Sequence, residues 1–288
     1  MLIANRQPAV GAFILSLLLC APTIRAQSAT VTNNVLFRTF MVKSDKEGGT
    51  IFSIDVDERE YWITAKHIIT GAKHPPYGTV EAKTVVLQIL PQIDASKDWI
   101  PVTFTVIDPG RDVDIVALVP EQSLLGKIPI QSAKVASAEV TFGGECEFVG
   151  FPFGSAWAAK FEKGEMLRMP FIKHCTISGQ ITSPQRIWVL DGINNVGFSG
   201  GPVVFQTGPA QQIVAVISGF MTEPIEVKPL SEITPPQRGA TNNPSDEAHP
   251  KEAALANTGF FFAYDMTCAI DAIKKNPIGP KRTSSQNP

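Results

Sequence analysis

The chain has little that would mark it for a polyanion or a metal ion. Its 25 basic and 27 acidic side chains leave a formal net charge of −2, and this balance does not indicate a nucleic-acid or anionic-membrane partner. Only four cysteines and four histidines are present, and none stands at a CxxC or His/Cys spacing typical of a metal site. We therefore expect no metal, no cofactor, no nucleic-acid partner and no membrane partner for the mature chain.

Long stretches with helical periodicity are also nearly absent. From Asn34 onward, short apolar runs rich in β-branched and aromatic residues alternate with Gly, Pro, Asp and Asn, as strands alternate with turns. Met266, Ile270 and Ile273 alone follow a helical spacing. Asp265 stands just before them as a possible N-cap. The pattern predicts a mostly β chain of two β-barrels or sandwiches side by side, with a C-terminal helix.

Composition suggests how the chain is divided. Pro, Gly and polar residues indicate a linker at 121–136, between an N-terminal barrel at 33–120 and a C-terminal barrel at 137–275. The segment 223–257 holds six prolines and little aromatic content, which favours a mobile loop inserted in the second barrel. The tail at 276–288 is expected to be disordered.

The first 26 residues resemble a targeting segment more than a folded element. Arg6 provides a positive start, Ala9–Ala21 forms an apolar run that is short for a membrane span, and Ala26 suits cleavage. An uncleaved anchor is the alternative, and lipidation at Cys20 is disfavoured by the large residue before it. We expect a signal peptide at 1–26 and export to the periplasm or the extracellular space.

Three cysteines remain after the signal peptide: Cys146, Cys175 and Cys268. Export permits a disulfide, and Cys146 with Cys175 is the favoured pair because both fall in the same lobe. Three separate buried thiols are an equally open alternative.

The segment Gly197–Val203, which reads GFSGGPV, carries the strongest chemical signal. A serine that attacks a carbonyl needs a tight turn and backbone N–H groups beside it, and glycines permit both. Ser199 is therefore the candidate nucleophile.

A base and an orienting acid precede this serine. His67 closes the apolar run that begins at Tyr61, so a strand delivers the imidazole at its end. Asp114 opens an uninterrupted apolar strand and is expected to point inward, whereas Asp112 is expected to stay in the preceding turn. We predict that Asp114, rather than Asp112, orients His67.

Five segments in this order resemble the trypsin/chymotrypsin-like serine peptidases, and most closely the bacterial trypsin-like domains related to the HtrA/DegP group. They are Thr64–His67, Asp114–Leu118, Gly150–Gly154, Gly197–Pro202 and Gly259–Asp265, within roughly residues 33–275. The resemblance implies two six-stranded antiparallel β-barrels of the chymotrypsin type with a C-terminal helix. It also implies a serine endopeptidase acting on protein or peptide substrates through an acyl-enzyme.

In that family, His67 would be the general base, Asp114 its orienting acid and Ser199 the nucleophile. The oxyanion hole would be formed by the backbone N–H groups of Gly197 and Ser199. Family alignment places Ile193 at the bottom of the S1 pocket, with Ser218, Gly219 and Phe220 as one wall. Since none of these is acidic, a small or apolar P1 residue is expected. The alternative is that insertions shift the wall and these residues are ordinary core.

Two positions depart from the family pattern. Phe198 stands where trypsin has the Asp that pairs with a newly cut N-terminus, so activation by a specific N-terminal cleavage is not expected. Lys66 replaces a commoner small residue before His67. It either points to solvent or lies near the imidazole, where it would lower the pKa of His67.

Two other functions compete with a peptidase. One is a protease-fold binding or scaffold protein without turnover, since fold does not establish activity. The other is a small-ester hydrolase of the α/β type, which Pro202–Phe205 argues against because it continues as a strand. No PDZ-like segment follows the helix, so cage-like assembly is not expected and the oligomeric state is not indicated.

Overall fold

A computed structural model describes residues 31–92, 98–125, 135, 140–160, 166–207, 210–227 and 252–282. The strands are β1 (Thr39–Lys43), β2 (Gly48–Val56), β3 (Arg59–Thr64), β4 (Thr84–Leu90), β5 (Ile100–Ile107), β6 (Val116–Pro120), β7 (Glu145–Gly150), β8 (Trp157–Lys160), β9 (Met166–Met169), β10 (Phe171–Ile181), β11 (Ile187–Asp191), β12 (Pro202–Thr207), β13 (Ala210–Val227) and β14 (Glu252–Asp265). The helices are α1 (Asn33–Phe37), α2 (His67–Thr70) and α3 (Thr267–Lys275).

Twelve of these strands form two closed antiparallel barrels. The first has the order β1-β2-β3-β6-β5-β4 and closes where β1 pairs with β4. The second has the order β10-β11-β14-β13-β12-β7 and closes where β7 pairs with β10. Strands β8 and β9 form a separate hairpin. The predicted fold, two six-stranded antiparallel barrels with a C-terminal helix, is confirmed.

Aromatic side chains fill the interior of each barrel. Trp62 and Phe104 are at most 1% exposed and their ring centroids lie 6.0 Å apart in the first barrel. In the second barrel, Phe148 and Phe261 are fully buried with centroids 4.8 Å apart. Because side chains alternate between the two faces of a strand, one face of each closed sheet fills its core.

The C-terminal helix is fixed at its start by a buried carboxylate. Asp265 accepts hydrogen bonds from the Thr267 N–H at 2.9 Å and from Trp188 Nε1 at 3.0 Å. It thereby satisfies one of the N–H groups that the first turn leaves unpaired. Ala269 and Ile273 are fully buried, so the apolar face predicted from the spacing packs inward.

The prediction of a mobile loop over 223–257 is wrong at both ends. Strands β13 and β14 stay paired from Glu223 with Ala256 to Val227 with Glu252. The backbone hydrogen bonds of this ribbon override a proline-rich composition, because Pro224 lacks only one donor. Residues 228–251 lie outside the described residues.

The prediction of a disordered tail is wrong for residues 276–282. Lys281 forms a β-bridge with Arg59, and Arg282 donates to Asp55 Oδ2 at 2.9 Å. Asp55 also binds Arg38 at 2.8 Å, so an almost buried carboxylate holds the end of the chain on the first barrel. Residues 283–288 lie outside the described residues.

Cys146 and Cys175 form a disulfide between directly paired positions of β7 and β10. Cys268 is a free, partly buried thiol. The predicted signal peptide and most of the predicted linker lie outside the described residues. Within the described ranges, no helix combines the length and the apolar character needed to cross a membrane.

Candidate active site

A buried carboxylate holds His67 by two hydrogen bonds. His67 begins α2, and Ala65 and Lys66 separate it from the end of β3 at Thr64. Asp114 Oδ1 accepts the His67 backbone N–H at 2.8 Å, and Asp114 Oδ2 lies 2.7 Å from His67 Nδ1. Asp114 is fully buried and His67 is 8% exposed. This geometry fixes the plane of the ring and leaves Nε2 on the opposite side.

The structure brings Asp114, and not Asp112, to the imidazole. Asp112 is exposed and lies 3.6 Å from Arg111 Nε in a surface ion pair. Asp114 is fully buried just before β6, next to the fully buried Ile115 and Val116.

A third hydrogen bond reaches the same carboxylate from the second barrel. Ser218, on β13 and 4% exposed, donates from Oγ to Asp114 Oδ2. Its backbone carbonyl accepts Ser199 Oγ at 3.1 Å. The family resemblance implied Ser218 as a wall of the substrate pocket, which stays a prediction; the bond from its hydroxyl to Asp114 was not predicted. The two residues are 104 positions apart, and no local pattern signals such a contact.

Two charges of opposite sign lie near the free edge of His67. Glu47 Oε2 is 3.8 Å from His67 Nε2, and Lys73 Nζ is 3.5 Å from Glu47 Oε1. Burial of the imidazole opposes its protonation, as does Lys73. The hydrogen bond and charge of Asp114, with the charge of Glu47, outweigh both and raise the pKa of His67.

Neither expectation for Lys66 matches its position. Lys66 is fully buried, and its ammonium lies 2.5 Å from Asp108 Oδ1. It also donates to the carbonyls of Gly78 and Gly110. Asp108 therefore neutralises the charge. Through Gly78 and Gly110, the side chain connects the loop before β4 with the loop after β5. A buried Lys normally requires such a partner.

The loop that carries Ser199 is packed closely enough to require glycine. A Cβ on Gly197 would lie 2.2 Å from the Phe151 carbonyl, and one on Gly200 would lie 2.2 Å from the Thr50 carbonyl. Both glycines also have positive φ angles, 102° and 82°. Within the described part of the chain, the N–H groups of Gly197 and Ser199 have no acceptor. Two backbone donors thus remain available beside Ser199.

Phe198 explains how this loop is held without a charge pair. Its ring is fully buried and meets Phe148 edge to face at 4.8 Å. A Cβ on Gly150 would lie 2.8 Å from the ring, so that glycine leaves room for it. Lys173 Nζ adds hydrogen bonds to the Ile193 carbonyl and to Asn195 Oδ1. Aromatic packing of Phe198 and the hydrogen bonds of Lys173 hold this loop, for which trypsin uses the ion pair between its Asp and the new N-terminus.

Replacing Phe198 with alanine is expected to lower the free energy of unfolding by about 3–5 kcal/mol, because a buried aromatic side chain leaves a cavity. Urea denaturation measures this change. Phe153→Ala is the matched control, since that ring is 71% exposed, and its effect is expected within about 0.5 kcal/mol. Equal effects of the two substitutions would contradict the anchoring role of Phe198.

The S1 assignment of Ile193 stays a prediction. Its side chain is 59% exposed. Gly219 and Phe220 are half-buried on β13.

Comparison with known proteins gives a likeness of fold. No protein-family model matches the chain, and no curated protein sequence matches it. Among solved structures, the active form of the Rv3671c protease from M. tuberculosis shares 16% identity, with 88% of this chain and 86% of that chain covered and a TM-score of 0.47. The protease Anisep from Arthrobacter nicotinovorans shares 11% identity, with 85% and 97% covered and a TM-score of 0.48.

The HtrA-type protease AlgW, solved with a tripeptide, shares 14% identity, with 84% of this chain and 60% of that chain covered and a TM-score of 0.48. At these identities and TM-scores the likeness carries no argument about the reaction. With its two closed six-stranded barrels and C-terminal helix, the chain has a chymotrypsin-like fold and resembles trypsin-like and HtrA-type serine proteases.

Proposed function

We propose that this protein is a serine endopeptidase that hydrolyses peptide bonds through Ser199, His67 and Asp114. The observation that carries the proposal is the buried Asp114 carboxylate, which binds both the backbone N–H and the ring of His67. A carboxylate held in this way selects one imidazole tautomer and leaves Nε2 to accept a proton. A nucleophilic serine requires such a base.

In the proposed reaction, Ser199 Oγ attacks the scissile carbonyl carbon while His67 Nε2 takes its proton. The N–H groups of Gly197 and Ser199 stabilise the oxyanion that forms. His67 then protonates the leaving amine, and water hydrolyses the acyl-enzyme with the same base. Ser199 Oγ has to exchange its bond to the Ser218 carbonyl for one to Nε2, and such bonds often tighten only when substrate binds.

The proposed substrates are peptides with a small or apolar residue at P1. Lys173 places its ammonium against the Ile193 carbonyl and Asn195, close to the nucleophile loop. A cation at this place disfavours an incoming Arg or Lys side chain. Ser218, Gly219 and Phe220 offer no acid to offset that charge.

Export is part of the proposal. The apolar run Ala9–Ala21 and the small residue Ala26 support a cleaved signal peptide, and a Cys146–Cys175 disulfide suits an oxidising compartment. N-terminal sequencing of the exported protein should begin at Gln27. An N-terminus at Met1 would contradict cleavage.

The proposed activity is tested by two readouts on the same preparation. A fluorophosphonate probe should label the folded protein, and peptide mapping should place the label on Ser199. A library of unmodified peptides should be cleaved mainly after small or apolar residues. Labelling without peptide cleavage would point to another hydrolase activity, and absence of both would reject the proposal.

One observation favours the second candidate, a protein that binds peptides without turnover. Within the described residues, Ser199 Oγ bonds to the Ser218 carbonyl and no hydrogen bond joins it to His67 Nε2. A protein locked in this arrangement would bind library peptides and leave both them and the probe unchanged.

The pH dependence of activity should report the charges around His67. The imidazole has to be neutral to act as a base, and its pKa is raised, so kcat/KM should increase as pH rises through that raised pKa. Glu47→Gln removes a negative charge 3.8 Å from Nε2. It should lower the pKa of His67 and move the acid limb to lower pH.

Lys73→Gln is the matched control of opposite sign. It removes the positive charge that opposes protonation of His67, so the acid limb should move to higher pH. The pH profile of kcat/KM for the three proteins measures both shifts. Identical acid limbs would show that neither charge acts on the base.

A further inference from the structure

Thr50 reaches from the first barrel into the loop that carries Ser199. It lies on β2 and is fully buried. Its hydroxyl donates to the Gly197 carbonyl at 2.7 Å and accepts the Phe151 N–H at 3.2 Å. Its backbone N–H donates to the Ser199 carbonyl at 2.8 Å. One residue thus holds three backbone groups of the opposite lobe.

Two of these bonds lie on either side of the Ser199 N–H. The Gly197 carbonyl belongs to the peptide before the one that contains this N–H, and the Ser199 carbonyl belongs to the peptide after it. Peptide units are planar, so holding both flanking carbonyls restricts the rotation of the unit between them. The Gly197 N–H is restricted as well, because its own residue carries the first carbonyl.

Glycines surround Thr50 so that it can approach the loop. A Cβ on Gly150 would lie 2.7 Å from Thr50 Oγ1, and one on Gly200 would lie 2.2 Å from the Thr50 carbonyl. That carbonyl accepts Thr64 Oγ1 at 2.7 Å, which fixes Thr50 within its own barrel. Thr50 is therefore held within its own barrel through its carbonyl, while its hydroxyl contacts the loop of the opposite lobe.

Any amino acid other than proline at position 50 would supply the backbone N–H, but a hydroxyl at the γ position is specific to threonine and serine. Without it, the Gly197 carbonyl and the Phe151 N–H would be buried with no partner, which the loop would relieve by rearranging.

We propose that Thr50 is a positioning residue whose hydroxyl, reaching across the lobe interface, orients the Gly197–Ser199 backbone so that its N–H groups meet the oxyanion. The inference rests on the proposed peptidase function.

Thr50→Val tests the hydroxyl, because valine keeps the shape of the side chain and removes both hydrogen bonds. Loss of one oxyanion donor lowers kcat by about 10²–10³, and a misaligned donor should lower it by about 10–10² with KM changed less than about threefold. Thr50→Ser keeps the hydroxyl and should stay within about threefold of wild type. The rate of fluorophosphonate labelling should follow kcat.

Thr39→Val is the matched control. Thr39 is also fully buried on a strand of the first barrel, and its hydroxyl donates to the Val35 carbonyl at 2.8 Å, away from the loop. It should lose stability and keep kcat per titrated active site. If Thr50→Val does the same, Thr50 is merely structural and the inference is wrong.

The two proposals fail in different ways. Wild-type protein that neither labels nor cleaves peptides overturns the peptidase function and this inference together. Active wild type with unchanged kcat in Thr50→Val overturns the inference alone. If Thr50→Val does not fold, Thr50→Cys replaces it; a thiol is a weak donor, so its kcat should fall below that of Thr50→Ser, and equal values would overturn the inference.

Discussion

Replacing Ser199 with alanine is expected to lower kcat by about 10⁶ and to abolish fluorophosphonate labelling, because the attacking oxygen is removed. The fold should survive, since Ser199 is only half-buried and, among the described residues, its hydroxyl makes one hydrogen bond, to the Ser218 carbonyl. The loss of that bond should change the free energy of unfolding by about 0.5–1.5 kcal/mol. Peptide hydrolysis and urea denaturation measure the two effects.

Ser155→Ala is a suitable control, because Ser155 lies exposed in the turn after β7. It should keep both labelling and kcat. If Ser199→Ala still reacted with the probe, another residue would be the nucleophile and the proposed reaction would be wrong.

Replacing Asp114 with asparagine is expected to lower kcat by about 10⁴. The neutral amide no longer supports the imidazolium, and its NH₂ group facing Nδ1 favours the wrong tautomer. Asp114 also accepts three donors: the His67 N–H, the His67 ring and Ser218 Oγ. An amide has one oxygen to offer them, so the substitution misplaces His67 and Ser218 together.

Asp112→Asn is the matched control two residues earlier. Asp112 is exposed, and its replacement should leave kcat within about twofold of wild type and the unfolding free energy within about 0.5 kcal/mol. Circular dichroism and active-site titration separate misfolded protein from slow protein. A large loss of kcat in Asp112→Asn, with none in Asp114→Asn, would reverse the assignment of the acid.

The three proposed catalytic residues could be read from sequence because each follows a local pattern. His67 follows an apolar strand, Asp114 precedes one, and Ser199 lies among glycines. Local periodicity and turn chemistry reflect short-range sterics, and they place such residues at strand ends. The alternation of short apolar runs and turns predicted a mostly β chain, and the family resemblance implied the two six-stranded barrels that the strand pairing confirms.

Other parts of the site left no such pattern. Thr50 acts on backbone groups of Gly197 and Phe151, and a backbone partner has no side-chain identity to recognise. Lys66 was expected either to point to solvent or to lie near the imidazole, but it is buried and pairs with Asp108.

Two segments that were predicted to be mobile or disordered, 223–257 and 276–288, are partly held by distant partners. Proline content predicted a loose loop where β13 and β14 in fact pair as far as Val227 and Glu252. Terminal position predicted a disordered tail over 276–288, where Arg282 in fact donates to Asp55. In both cases, hydrogen bonds to a distant partner outweighed local preference.

The sequence by itself determined a mostly β chain with a terminal helix, and it marked His67, Asp114 and Ser199 as the candidate catalytic residues next to apolar strands and on the glycine turn. Only the tertiary structure decided that Ser218 shares Asp114 with His67, that Phe198 anchors the loop, and that Thr50 spans the lobes. These contacts join residues up to 147 positions apart. Their geometry follows from how two closed barrels pack against each other, and local sequence preferences carry no information about that packing.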